Sequence, residues 1–154
     1  MKKTLFVDLD DTLVVPGRLS WRLWRIAKRF QRWGRRSQRL NPAMMETLRS
    51  YDRVVLLTSR DISDAEETLL FLRSHGVQIS DAWFCPRKEL FAAWKAKVVD
   101  EESPDGNVDW IDDMFDKTGV TTVKRSSASG EIRRLPVSRG SLSGDTQYSE
   151  PPSL

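Results

Sequence analysis

Leu5, Phe6 and Val7 run straight into Asp8, Leu9, Asp10, Asp11, Thr12 and Leu13, and no other stretch limits the fold as tightly. A short apolar run of this kind reads as a buried strand. Its middle has no place for unpaired carboxylates, whose desolvation is very costly. Asp8 and Asp10 therefore belong where the strand leaves the sheet, at its carboxyl end, where open α/β sheets bind ligands. Two carboxylates so close repel unless a cation lies between them. A hard divalent ion with oxygen ligands, Mg²⁺ above all, meets that need. An acidic turn after a strand is the alternative that the motif alone leaves open.

The 154 residues suggest one domain with a real core. Cys85 is the single cysteine, so the chain can build no disulfide of its own, and a reducing, cytoplasmic setting is expected. No run approaches the roughly 18 apolar residues of a spanning helix. Met1-Lys2-Lys3 before an apolar run faintly imitates a secretory signal, but Asp8, Asp10 and Asp11 interrupt it.

The rest of the chain alternates. Leu13 to Leu19 reads as a loop, and Ser20 caps a predicted helix reaching about Arg39. Arg22, Arg25, Arg29, Arg32, Arg36 and Arg39 form one stripe of that helix, and Leu23, Ile26, Ala27, Phe30 and Trp33 another. Trp21 falls among the arginines and Trp24 on the flank. No acid occurs between Pro16 and Met45, so the net charge of +3 conceals a local basic device. Asn41-Pro42 opens a second helix to about Ser50. The strand Arg53–Leu57 leads to Thr58, Ser59 and Arg60. A helix over Asp61–Ser74 is expected to turn Ile62, Leu69, Leu70 and Leu72 or Phe71 inward and to stop at Gly76. Ala82–Cys85 reads as a strand, and Lys88 to about Val99 as a helix with Leu90, Phe91, Trp94 and Val98 inward. The strand from Val108 ends in Asp112 and Asp113, and Val120–Val123 is the last expected strand. From Lys124 the Ser, Arg, Gly and Pro content predicts a disordered tail. The alternation predicts a parallel sheet with right-handed crossovers.

An acid pair at Asp8 and Asp10, a hydroxyl at Thr58, a lysine at Lys88 and a second acid pair at Asp112 and Asp113, in that order, resemble the motif set of the haloacid dehalogenase (HAD) superfamily of phosphotransferases. The resemblance covers Met1 to about Val123. It implies a three-layer Rossmannoid α/β domain over 1–123, a small helical cap insertion at about 18–40, and a disordered tail over 124–154. It assigns Asp8 as nucleophile and Asp10 as the acid that protonates the leaving oxygen and then activates water. Thr58, Ser59 and Lys88 would hold the phosphate, with Lys95 and Lys97 as alternatives to Lys88. Mg²⁺ would sit on Asp8, the carbonyl of Asp10, and Asp112 or Asp113, with Asp116 orienting a water or capping a turn. Asn41-Pro42-x-x-x-Glu46, Thr58-Ser59-Arg60-Asp61, Lys88-Glu89-x-Phe91 and Ile111-Asp112-Asp113 are similar to the 3′-phosphatase domain of phage-type polynucleotide kinase-phosphatases. By that likeness Arg60 would take substrate phosphate, although Ser59 stands where the family has glycine and no kinase P-loop is present.

The arginine helix is not part of that motif set. Arg22, Arg25, Arg29 and Arg32 with Trp21 and Trp24 fit a nucleic-acid backbone with stacked bases. An anionic membrane surface and a plain solvated face are the other readings of the same pattern. The expected activity is thus a Mg²⁺-dependent phosphomonoesterase acting through an aspartyl-phosphate on nucleic-acid ends or nucleotides. The competing class is a HAD-scaffold module that only binds nucleic acid or membrane through its basic helix.

Overall fold

The computed structural model describes residues 2–16, 38–86, 90–103, 106–115, 121–124 and 130–138. Its centre is β1 (Thr4–Asp8), flanked in parallel by β4 (Arg53–Thr58) and β6 (Val108–Ile111). β5 (Asp81–Phe84) extends the sheet beyond β4, and β8 (Glu131–Leu135) extends it beyond β6, both parallel. β7 (Thr121–Lys124) closes the far edge antiparallel to β8, giving the order β5-β4-β1-β6-β8-β7. This is the expected α/β architecture, with five parallel strands.

The period of two decides the layers. Leu5 and Val7 face one side and pack with Met44 and Leu48 of α1 (Pro42–Arg49) and Leu72 of α2 (Ala65–Ser74). Phe6, Val55 and Leu57 face the other side and pack with Trp94, Val98 and Val99 of α3 (Phe91–Glu102). Both faces of β1 are covered, which is why its sequence is an uninterrupted apolar run. Asn41 starts α1 as expected, its Oδ1 accepting from the Ala43 amide at 3.2 Å. Its Nδ2 donates to the carbonyls of Thr12 and Ser138 at 3.1 and 2.9 Å, so one buried side chain ties three segments together.

Several expectations need correction. The segment after Leu13 is not a loop throughout: β2 (Val14–Pro16) pairs antiparallel with β3 (Gln38–Leu40), Val14 opposite Leu40. Gln38, Arg39 and Leu40 are therefore extended strand and not the last turn of the expected helix, with buried Val14 opposite Leu40 in the ladder. The rest of the expected helix, with Trp21, Trp24, Arg22, Arg25, Arg29 and Arg32, lies outside the described residues. Helix α2 is preceded by a 3₁₀ turn over Ile62–Asp64. Ile62 and Leu70 are exposed, because Thr68 and Leu72, four residues apart, set the buried phase. Leu90 and Phe91 are exposed too, although they share the helical phase of Trp94 and Lys95.

The largest correction concerns the tail. Far from being unstructured from Lys124 onward, the chain returns as β8 between β6 and β7 and buries Ile132 and Val137. Two apolar residues suffice because polar partners complete the strand. Arg133 pairs with Asp109 at 2.7 and 2.8 Å, and the Arg134 guanidinium lies over the rings of Phe115 and Trp110 at 4.9 and 5.6 Å. Gly130, at φ +107°, abuts the backbone of Gly106 so closely that any side chain would collide with it. The sheet unit thus extends to Ser138, and 139–154 lie outside the described residues.

Asp109 also accepts the Tyr51 hydroxyl at 2.5 Å. Burial alone would raise its carboxyl pKa, but the hydrogen bonds from Arg133 and Tyr51 prevail and hold it below the usual range. A depressed carboxyl stabilises the fold above its unfolded pKa and loses that effect as pH falls through the folded value. Asp109→Asn is therefore expected to lower the melting temperature at pH 7. The gap to the parent should close as pH drops below 3.8, the ordinary value. A gap that stays constant with pH would show that the charge contributes nothing.

Candidate functional site

The chain steps from β1 outward through β4 and β5, then returns over the opposite face along α3 to place β6 on the other side of β1. The strand order reverses between β1 and β6, and their carboxyl ends open a crevice there. Asp8 ends β1, and Asp112 follows β6. Both are buried.

Beyond Asp8 the backbone coils tightly. The amides of Leu13 and Val14 both donate to the Leu9 carbonyl at 2.9 and 2.8 Å, and Asp11 adopts φ +63°, a left-handed geometry that short polar residues tolerate. The coil brings the Thr12 hydroxyl to 3.4 Å from Asp8 Oδ2. Thr58, fully buried, ends β4 beside this turn and accepts the Arg60 amide at 3.2 Å, while Ser59 is exposed.

Among the described residues the lysine at these carboxylates is Lys95. Its Nζ lies 2.6 Å from Asp8 Oδ1 and 2.7 Å from Asp112 Oδ2, with only 4% of the side chain exposed. Lys88, the expected choice, lies outside the described residues, and Lys97 is exposed and pairs with Glu101 at 3.8 Å. A signal for Lys95 existed in the sequence. It stands between Trp94 and Val98 on the buried phase of α3, where a lysine needs an anionic partner.

Asp8, Asp112 and Asp113 form a group whose carboxylate oxygens lie within 4.8 Å of one another, and it could hold a metal ion. The donor set suits a hard cation. Lys95 takes one oxygen each from Asp8 and Asp112; the second oxygen of each accepts one longer bond, from the Thr12 hydroxyl at 3.4 Å and the Met114 amide at 3.2 Å, and retains a lone pair, while Asp113 is the least buried of the three. Among the described residues three carboxylates face one ammonium, and the electrostatics reflect the imbalance. Burial pushes Asp8 up to about 7, with Asp112 and Asp113 adding to the rise and Lys95 opposing it. Asp113 rises to about 6 through burial and its neighbour Asp112. Burial acts to lower Lys95, but the two carboxylates outweigh it and the amine stays a cation.

The Asp10 carboxylate does not join the group. It faces Arg60, whose Nε and Nη2 donate to Oδ2 and Oδ1 at 2.9 and 2.6 Å. Arg60 also reaches Thr68 and Gln38, two partners that no motif singles out. Asp116 lies outside the described residues. Among those residues no helix is long and apolar enough to cross a membrane. Comparisons with protein-family models, with curated proteins and with solved structures found no match.

Proposed function

We propose that this chain is a Mg²⁺-dependent phosphomonoesterase of the HAD type. The observation that carries the reading is the Lys95 ammonium shared by Asp8 and Asp112 at the switch point, with a further carboxylate, Asp10, two residues after Asp8. Asp8 attacks phosphorus: a bond forms from its carboxylate oxygen, the ester P–O bond breaks, and Asp10 gives the leaving oxygen a proton. Asp10 then takes a proton from water as that water releases phosphate from Asp8. Lys95 offsets charge on the attacking carboxylate and the incoming phosphate, and the Thr58 hydroxyl with the Ser59 amide receives a phosphoryl oxygen. Asp8, Asp112 and Asp113 would hold the divalent ion, whose positive charge neutralises the phosphoryl group. The basic and tryptophan-bearing sequence of 18–40 makes phosphorylated nucleic-acid ends and nucleotides the first substrates to try.

The test is a screen with Mg²⁺ over 3′- and 5′-phosphorylated oligonucleotides, nucleotides, sugar phosphates and p-nitrophenyl phosphate. Excess chelator is expected to abolish turnover. Protons compete with the cation for Asp8 and Asp113, so Mg²⁺ affinity measured by calorimetry should rise as pH climbs through about 6 and about 7. Undiminished activity in chelator would remove the metal from the mechanism.

A further inference from the structure

We propose that Arg60 is the positioning residue of Asp10 and not an anchor for the substrate's phosphate, an inference that rests on the phosphatase reading above. The guanidinium has five N–H groups in a rigid fork. Nε spends its one on Asp10 Oδ2, Nη2 spends its two on Asp10 Oδ1 and Gln38 Oε1, and Nη1 gives one to the Thr68 hydroxyl at 3.2 Å. Only one N–H of Nη1 remains for any ligand. The side chain of Arg60 is 11% exposed against 41% for Asp10, so the fork grips the carboxylate from the protein side and leaves its outer side open.

Each partner fixes the fork to a different element. Thr68 is a buried residue of α2, Gln38 begins β3, and the Arg60 amide is tied to Thr58 at the end of β4. The backbone of Asp10 is held separately, by a bridge to Val14. Main chain and side chain are therefore both oriented before substrate arrives, which is what a proton-transfer group requires. To grip phosphate with two N–H groups, Arg60 would have to abandon this bidentate pair, while Lys95 already supplies a cation at Asp8.

Both oxygens of Asp10 accept N–H groups from Arg60, so the fork fixes the orientation of the group that takes the proton from water. The clamp acts in the second step, the release of phosphate from Asp8. The p-nitrophenolate leaving group needs no proton, so a clamp defect spares the first step with that ester.

The experiment is steady-state and rapid-mixing kinetics of Arg60→Lys on p-nitrophenyl phosphate, with inorganic phosphate as inhibitor. Lysine keeps the charge and loses the fork. We expect kcat to fall on the order of 100-fold, KM to fall with it, and kcat/KM to stay within about threefold. A burst of one p-nitrophenolate per site should appear, and inhibition by phosphate should hold. Thr68→Val, which removes the Nη1 partner, should show the same pattern more weakly and carries the test if Arg60→Lys does not melt cooperatively. A drop in kcat/KM with no burst and weakened phosphate inhibition would make Arg60 a phosphate anchor and overturn the inference alone. A wild-type protein inactive on every phosphomonoester would overturn the phosphatase reading, and the inference with it.

Discussion

Asp8→Asn is expected to lose turnover of p-nitrophenyl phosphate by on the order of 10⁴-fold or more, the scale seen when a nucleophile is removed from a catalytic group acting as a unit. The amide fits the space of the carboxylate but cannot attack phosphorus. The same substitution should not harm the metal-free fold. Burial and the neighbouring acids lift Asp8 from 3.8 to about 7. A carboxyl raised in this way favours the folded state while protonated and loses that advantage as pH rises from its unfolded value to its folded one. In chelator, the parent's melting temperature should therefore decline between pH 4 and pH 7 relative to Asp8→Asn, which has nothing to ionise. Lys95 keeps Asp112 as partner in the variant, so no buried charge is left alone. A site that costs stability and repays it in chemistry is the signature sought. Equal turnover by the two proteins would place the nucleophile elsewhere, and a variant much less stable at pH 7 would make Asp8 a structural residue.

The parts of the site visible in the sequence were those set by strand chemistry. An apolar run that ends in acids can put them only at a strand end, and that logic located Asp8, Thr58 and Asp112 without any knowledge of neighbours. What stayed open, as Lys95 did beside Lys88, or escaped altogether depended on pairing across the chain. Lys95 is buried only because Asp8 and Asp112 come from two other strands to meet it. The direction of the Arg60 fork depends on Gln38 and Thr68, which flank it from separate elements. Ile62 and Leu70 looked inward by composition, yet Thr68 and Leu72 took the core phase. β8 was hidden for the same reason, since its anchors Asp109 and Trp110 lie far back in the chain and a polar strand gives no apolar period.

Truncation after Ser126 is expected to abolish cooperative folding. It removes β8 from between β6 and β7, and β7 has no other partner in the sheet. Ile132 and Val137 leave the two cores, at about 1.5–3 kcal/mol each. Trp110, almost fully buried, loses the guanidinium over its ring and faces water. Asn41 Nδ2 loses the Ser138 carbonyl. These losses together approach the roughly 5–15 kcal/mol that holds a whole domain folded. The damage would also reach the site, because β6 carries Asp112 and would become an unprotected edge. In the full-length chain, Ile132→Asp puts a charge at a residue only 8% exposed and should lower the melting temperature steeply. Circular dichroism melts of both proteins decide the matter. A truncated chain that melts cooperatively at the parent's temperature would show that β8 contributes nothing to the sheet and that the domain ends before it.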